Sequence, residues 1–422
     1  MSGPLLSLVD AVVFPLLVLL VSLFVSSISS AQPSDGDPYL AQLISQAEQA
    51  KLADQREWHL LLHYRKGIFG RYESEQDDPG FFMSAVGKTD PAAELAATLA
   101  QFFSTDLVGR SKQPAQCAFI ARYHWLKEQL KFDPTRLPPL ACERFDRWYE
   151  DFEVEAISLI FPSAFLNNPA SMFGHTLFRV DQKGQTEQTR ILAYTINYAA
   201  EVPPNAGLAY PIRGIFGSYK GYFSTIPYYL KVREYRDIEN RDIWEYRLNL
   251  TKNQMRRLLM HAWELGGNAY FDYFFFKENC SYHILALLDY ADPGLHLTDE
   301  FVGWTVPADT IRLVVSKPGL VSDITYRPSR STVIKRKRES LSAEERDLAH
   351  RMTQDIGELT APAFARLVPA KQAFLLDLAS DYLRYRIETT DSPKPEWKER
   401  NREVLTARSQ LRIPSEEFTV HP

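Results

Sequence analysis

The spacing of apolar residues changes along the chain. From residue 38 to about 140 they recur every three or four positions, most clearly over 118–130, and this spacing is typical of amphipathic helices. From residue 154 onward, β-branched and aromatic side chains dominate, which predicts strands. Turn residues at 181–184 favour an antiparallel sheet. The predicted strands are 154–161, 176–180, 190–199 and 242–248, the last with strict alternation.

Two helices with clear local signals follow these strands. Thr251 and Gln254 fit a capping box at the start of the first helix, and Gly266-Gly267 is expected to end it. An apolar helical stretch over 281–290 is stopped by Pro293-Gly294. The remaining chain is polar, charged and helical in its spacing, so the pattern predicts an α+β fold with helices on both sides of the sheet region. The expected divisions are 1–31, a signal peptide or anchor; 32–150, helical; 151–305, catalytic; and 306–422, helical.

The N-terminus predicts export. Residues 11–25 are apolar except for Pro15 and Ser22, and Ser29-Ser30-Ala31-Gln32 provides a small-residue cleavage site after Ala31. No Lys or Arg precedes Lys51, so the usual positive start of a signal peptide is missing. An uncleaved membrane anchor over residues 5–28 is therefore the alternative. Either way, we expect the protein in the periplasm, secreted or tethered to the inner membrane.

Composition excludes several classes of protein. With 422 residues, 45% of them hydrophobic, the chain is neither a disordered tail nor a small disulfide knot. The 48 Lys and Arg against 53 Asp and Glu give a net charge of -5, which offers no bulk attraction for a polyanion. Nucleic acid is therefore not an expected partner.

Three cysteines occur in the chain. In an oxidising compartment a disulfide between Cys117 and Cys142 is the simplest expectation, and closing that loop contributes about 3 kcal/mol in the chain-entropy model. Cys280 is then an odd thiol. A secreted protein normally loses such a thiol unless it has a use.

Cys280 lies at the predicted start of the helix over 281–290, where unpaired N–H groups and the helix dipole are expected to lower the pKa of its thiol. His175, at the entry to a predicted strand, is the candidate general base. Asn197, in the next strand, is the candidate for orienting the second ring nitrogen. The backbone N–H of Cys280 is expected to hold an oxyanion, aided by Asn279 or Ser171.

Five segments carry a resemblance to a known family. The chain resembles the Lnb N-terminal periplasmic domain family over roughly residues 154–303, and its order of His, then Asn-Cys, is similar to circularly permuted papain-like enzymes such as the lecithin-retinol acyltransferase and NlpC-type groups. The resemblance implies a permuted papain-like core in which His175 and Cys280 are the catalytic pair. The segments are Asn168-Pro169-Ala170-Ser171-Met172-Phe173-Gly174-His175-Thr176, Tyr194-Thr195-Ile196-Asn197-Tyr198-Ala199-Ala200-Glu201, Pro227-Tyr228-Tyr229, Trp244-Glu245-Tyr246 and Glu278-Asn279-Cys280-Ser281.

The resemblance further implies acyl transfer from a phospholipid to a lipoprotein amine, through an acyl-enzyme and without a cofactor. A phospholipid or lipoprotein substrate and a membrane surface are then the expected partners. Residues 308–422 depart from the larger Lnb arrangement, because they contain no multi-span membrane region. A cell-wall peptide amidase of the NlpC type and a non-enzymatic envelope binding protein are the alternatives.

Several features also have plainer interpretations. Cys280 could be an inert buried thiol, and the aromatic run 270–276 could be core rather than an acyl-chain groove. His283 makes a Cys-x-x-His pair with Cys280, but no further zinc ligands are spaced to complete a site, so no metal is expected. The basic run Lys335-Arg336-Lys337-Arg338 is either a solvated helix approach or a contact with anionic lipid headgroups.

Overall fold

The structure is a computed structural model that describes residues 37–67, 69–164, 172, 174–203, 210–390, 392–414 and 420. The predicted signal peptide or anchor over residues 1–31 lies outside the described residues. Within the described part of the chain, no helix is both long enough and apolar enough to cross a membrane.

The N-terminal region is mainly helical, as its spacing predicted. Phe119 interrupts the helix expected over 118–130, and two short antiparallel hairpins that the helical prediction did not contain are also present. The disulfide between Cys117 and Cys142 is present, as expected. The helices are α1 (Pro38–Gln49), α2 (Arg56–Leu62), α3 (Pro91–Phe102), α4 (Ala115–Ala118), α5 (Ile120–Leu130) and α6 (Glu143–Glu150); the hairpins join β1 (Tyr64–Lys66) to β2 (Tyr72–Ser74) and β3 (Leu107–Val108) to β4 (Gln113–Pro114).

A seven-stranded sheet forms the centre of the molecule, and every strand pair in it is antiparallel, as the turn chemistry predicted. Its order is β10-β8-β7-β6-β5-β9-β11. The strands are β5 (Val154–Pro162), β6 (Leu177–Gln182), β7 (Tyr194–Glu201), β8 (Tyr219–Pro227), β9 (Ile243–Leu248), β10 (Phe271–Tyr273) and β11 (Val321–Arg327). Residues 190–192, expected to start a strand, lie in a 3-10 turn, Thr189–Leu192, before β7.

Helices surround this sheet. The capping box of Thr251 and Gln254 is present, but the helix it starts runs through Gly266-Gly267 to Asn268, so the expected stop at these glycines is wrong. The helices are α7 (Tyr210–Ile215), α8 (Tyr228–Val232), α9 (Lys252–Asn268), α10 (Cys280–Ala291) and α11 (Pro307–Ser316), and a π-helical turn, Arg233–Ile238, continues α8.

The two faces of the sheet differ in character because strand side chains alternate. On the face covered by α9 and α10, the side chains are apolar, among them Phe178, Ile196 and Tyr198; we call this the helix face. The opposite face carries a small apolar cluster around α8, together with buried Arg179, Asp181 and Glu245; we call this the charged face.

The C-terminal region is helical except for β11, which pairs with β9 and completes the sheet. The expected helical region after residue 306 therefore also contains a strand, because residues 321–327 pair with the open edge of β9. The helices α12 (Arg330–Glu339), α13 (Ala343–Met352), α14 (Pro362–Ala365), α15 (Pro369–Thr389) and α16 (Pro395–Gln410) build a separate apolar cluster. Arg330 joins this region to the sheet region through Asp237, at 2.7 Å.

Candidate functional site

Cys280 is the first residue of α10, and Asn279 caps this helix. The Asn279 Oδ1 atom accepts hydrogen bonds from the N–H groups of Ser281 and Tyr282, at 3.0 and 3.3 Å. Its Nδ2 atom donates to the carbonyl oxygens of Phe275 and Thr305, at 3.1 and 2.7 Å. These bonds occupy the carboxamide, so Asn279 supports the helix start and has no free N–H to offer an oxyanion.

His175 lies just before β6, and its ring reaches the neighbouring strand β7. The Nε2 atom lies 2.9 Å from Asn197 Oδ1, so the contact expected from strand adjacency is present. Because Oδ1 can only accept a hydrogen bond, Nε2 carries the proton and Nδ1 is left with a free lone pair. This tautomer is the one that a general base needs. Ser171, the other expected support for an oxyanion, lies outside the described residues.

The chain next to His175 contacts the Cys280 sulfur. The backbone N–H of Thr176 and the Tyr273 hydroxyl lie close enough to the sulfur to lower the pKa of the thiol. The Cys280 N–H donates to Tyr273 Oη, at 3.3 Å. The fold thus brings the two distant sequence motifs together at one end of the sheet. Among the described residues, no hydrogen bond joins the His175 ring to the sulfur.

Burial dominates the electrostatics of the pair. Cys280 is 1% exposed, and this burial raises the pKa of its thiol, although the bonds from Thr176 and Tyr273 and the charge of Arg241 act in the opposite direction. Burial lowers the pKa of His175 to about 3. The expectation that the helix start lowers the pKa of the thiol is therefore wrong, because loss of water outweighs the dipole. The resting pair is a neutral thiol and a neutral imidazole.

Two residues of the site were not found from the sequence. Tyr273 touches both the N–H and the sulfur of Cys280, and its ring stacks on Tyr198 with centroids 5.5 Å apart. Arg241 donates to the carbonyl oxygens of Pro162 and Ser163, at 2.9 and 2.5 Å. Tyr273 was visible only as part of an aromatic run, and Arg241 belonged to no motif.

A carboxyl group with an unusual pKa adjoins the site. Burial, followed by the charge of Glu75, raises the pKa of Glu278 to about 7, against the opposing effect of Lys277, whose Nζ lies 2.5 Å away. Glu278 directly precedes the capping residue of α10. The start of this helix therefore carries a side chain that changes charge near neutral pH.

The plainer interpretation of the aromatic run is the correct one for its central residues. Phe271, Tyr273 and Phe275 belong to the main apolar core rather than to an open groove. His283, which could have joined Cys280 in a zinc site, points into this core. Its ring lies 4.2 Å from that of Phe271, and neither ring nitrogen has a hydrogen-bond partner among the described residues.

Comparison with known proteins identifies the central part of the chain. Residues 144–317 match the Lnb N-terminal periplasmic domain, while residues 50–129 and 324–420 each match a domain of unknown function. No curated protein and no solved structure matches the chain. Residues 144–317, which contain His175, Asn197 and Cys280, thus form a domain of the Lnb N-terminal periplasmic family, and the recognition made from the motifs is confirmed.

Proposed function

We propose that this periplasmic-domain protein is a cysteine-dependent acyltransferase or hydrolase acting on a lipid or lipoprotein. One observation carries the proposal: the bond to Asn197 leaves the other ring nitrogen of His175 as a base, and Thr176, the residue after His175, lies next to the Cys280 sulfur. A Cys at a helix start and a His at a strand entry are the pair that the resemblance to permuted papain-like enzymes implies, and Asn197 on the next strand orients the imidazole. The resemblance of the motifs supplies the lipid substrate class.

The proposed reaction has two steps. His175 Nδ1 takes the proton of the Cys280 thiol while the sulfur attacks an ester carbonyl, and a tetrahedral oxyanion forms. Collapse breaks the ester bond, the leaving alcohol takes the proton from His175, and an acyl-thioester remains on Cys280. Water or an amine then attacks the thioester, gives its proton to His175 and releases the acyl product, after which the proton returns to the sulfur.

The pKa directions set the character of the first step. Because burial raises the pKa of Cys280 and lowers that of His175 to about 3, proton transfer and attack occur together rather than from a preformed ion pair. Arg241 favours the developing thiolate, since its charge lowers the pKa of Cys280. The thiol is buried, so a substrate reaches it only after a covering group moves.

Tyr273 is the proposed oxyanion donor in place of Asn279. Its hydroxyl lies against both the N–H and the sulfur of Cys280, which are the atoms nearest to a carbonyl under attack. When the tyrosine turns toward the oxyanion, the Cys280 N–H is also released from its 3.3 Å bond. Two donors then face the same oxygen.

A thiol-reactive lipid probe tests the proposal. A long-chain fluorophosphonate is unsuitable for sulfur, so the probe is an acyl chain with an electrophilic vinyl sulfone head. Labelling of the wild type at Cys280, lost in Cys280→Ser and reduced in His175→Ala, is the expected result. Equal labelling of the wild type and Cys280→Ser would contradict the proposal.

The substrate class is tested separately, by measuring acyl release from phospholipid against cleavage of cell-wall muropeptides. We expect acyl release, with Cys280→Ser inactive. Muropeptide cleavage that depends on Cys280 would retain the thiol chemistry and replace the lipid substrate with a peptide. If the folded wild-type protein catalysed neither reaction, a binding protein would be favoured.

A further inference from the structure

The basic run in the C-terminal region is divided by the structure into two kinds of side chain. On α12, Arg336 bonds to Glu339 at 3.1 Å and Lys337 bonds to Asp381 of α15 at 2.7 Å. Lys335 and Arg338 make no ion pair with the described residues. Lys337 therefore joins α12 to α15, Arg336 pairs on the surface of α12, and Lys335 and Arg338 remain available to a ligand.

These two available cations line a cavity. It has a volume of about 450 Å³, and Arg346 of α13 adds a third cation to its wall. A second cavity of about 210 Å³ shares Ile334, Arg338 and Arg346 with it. The larger volume falls within the range of small-molecule sites.

The wall of the cavity is both apolar and positive. Ile334, Tyr382 and Tyr385 supply the apolar surface, and Lys335, Arg338 and Arg346 are exposed around it. Arg346 Nη1 donates to the carbonyl oxygen of Arg338 at 3.5 Å, which keeps these two residues together. The carboxylate in the wall, that of Glu339, is bound to Arg336.

We propose that this cavity binds the headgroup of an anionic phospholipid, with the phosphate against the cations and the glycerol and first methylenes against the tyrosines. Charge complementarity carries the proposal: three cations without an ion-pair partner among the described residues converge on one cavity in a protein whose net charge is -5. Guanidinium groups match phosphate oxygens in pairs. An apolar floor beneath them fits an amphiphile better than a free ion. The inference does not depend on the thiol chemistry.

Binding to vesicles tests this proposal with the full chain. The variant is Lys335→Gln/Arg338→Gln/Arg346→Gln, and the matched control removes three exposed cations from α16 and its start, Lys394→Gln/Lys398→Gln/Arg402→Gln. Flotation is measured with phosphatidylcholine vesicles that contain or lack phosphatidylglycerol. Circular dichroism melts establish that both variants fold.

The cavity variant is expected to lose on the order of 100-fold in partitioning to the anionic vesicles, since each basic residue near such a surface contributes about fivefold. The control is expected to bind within a few-fold of the wild type. An equal loss in both variants would mean nonspecific charge attraction and would overturn the proposal. If millimolar inorganic phosphate released the wild type from the vesicles, the cavity would be a site for a free anion, and the proposal of a phospholipid headgroup would be overturned.

Discussion

The two faces of the central sheet bury polar groups in opposite ways. On the charged face, Arg179 contacts Asp181 and Glu245, each at 2.5 Å, and all three are nearly inaccessible. On the helix face, three buried imidazoles lie close together: His63 and His261 have Nε2 atoms 3.2 Å apart, and the His283 ring lies 6.1 Å from that of His63. The charged face keeps its charges in pairs, and the helix face holds these three imidazoles neutral.

The difference shows what decides a protonation state in this protein. Burial opposes ionisation of Glu245, yet Arg179 and Arg327 hold the pKa of that carboxyl below its usual range. Burial lowers the pKa of His261 to about 3, and it lowers the pKa of His63 and His283 well below the usual range. Glu245 keeps its charge because two guanidinium groups contact it, whereas the imidazoles remain neutral, His261 even with Glu264 at 3.5 Å from its Nδ1. The Cys280 thiol likewise remains neutral, because burial outweighs the charge of Arg241.

Removing a charge from the charged face is expected to have the largest effect. Arg179→Met leaves Asp181 and Glu245 buried without their main cation, and the free energy of unfolding should fall by about 3 to 5 kcal/mol. Chemical denaturation measures the loss. Arg312→Met, which breaks the exposed pair with Asp309, is the control and should change stability by less than about 0.5 kcal/mol.

A triple variant sharpens this test. Adding Asp181→Asn and Glu245→Gln to Arg179→Met removes the two uncompensated charges and should recover part of the lost stability. If the single Arg179 variant is as stable as the Arg312 control, the charged face does not depend on its ion pairs. The two faces would then not differ in how buried charges contribute to stability.

The next effect concerns the site at the end of the sheet. Tyr273→Phe keeps the ring that stacks on Tyr198 but removes the hydroxyl next to Cys280. If this hydroxyl holds the oxyanion, kcat for acyl release should fall about 100- to 1000-fold. The control is Tyr219→Phe: Tyr219 pairs with Tyr273 across β8 and β10, and its buried hydroxyl has no partner among the described residues. Equal activity of both variants would remove Tyr273 from the mechanism.

A smaller effect is expected on the helix face. His283→Phe replaces two buried ring nitrogens that have no partner among the described residues with an apolar ring. An unsatisfied buried polar group costs about 1 to 3 kcal/mol, so the variant should be more stable than the wild type at pH 8. Denaturation at that pH measures the gain, and a loss of stability would show that His283 makes a favourable contact.

The same variant has a signed pH dependence. Because the pKa of His283 is lowered in the fold, unfolding takes up a proton below the ordinary value near 6.5. The contribution of this histidine is present above that pH and is lost as pH falls toward the folded pKa. The stability advantage of His283→Phe should grow by about 1.4 kcal/mol per pH unit as the pH falls below the ordinary value near 6.5 toward the lowered pKa of His283 in the fold. A constant advantage would mean that the imidazole is already charged in the fold.

The smallest expected effect is a change in the rate of alkylation of Cys280, which follows from the raised pKa of its thiol. Since burial raises it, alkylation by iodoacetamide at pH 7 should be slower than that of a free cysteine peptide. Its rate should rise with pH beyond the point, about 8.5, where the peptide levels off. Peptide mass spectrometry measures alkylation of Cys280 alone, because the other two cysteines form a disulfide. A rate that is already maximal at pH 7 would indicate a preformed thiolate.

Local patterns predicted much of the fold. The capping box at Thr251 and the alternation over β9 depend on neighbouring residues only, and both are present. The contact of His175 with Asn197 could be predicted because β6 and β7 are consecutive strands joined by a turn. The position of Cys280 at the start of α10 likewise follows from the residues around it.

Features that depend on distant parts of the chain could not be predicted. Tyr273 reaches Cys280 because β10 pairs with β8, and β11 joins the sheet because β9 leaves an open edge. Neither pairing can be predicted from a local sequence pattern. The predicted direction of the pKa shift of Cys280 was wrong for the same reason. The helix start is a local feature, whereas burial comes from the whole core.

The claim that Cys280 accepts an acyl group is tested most directly by mass spectrometry of the protein after incubation with phospholipid. We expect an acyl adduct on the peptide that contains Cys280, released by hydroxylamine as expected of a thioester and absent from Cys280→Ser. We also expect less adduct in His175→Ala. Acyl release at the wild-type rate by Cys280→Ser, with no adduct on this peptide in the wild type, would contradict an acyl-enzyme at Cys280.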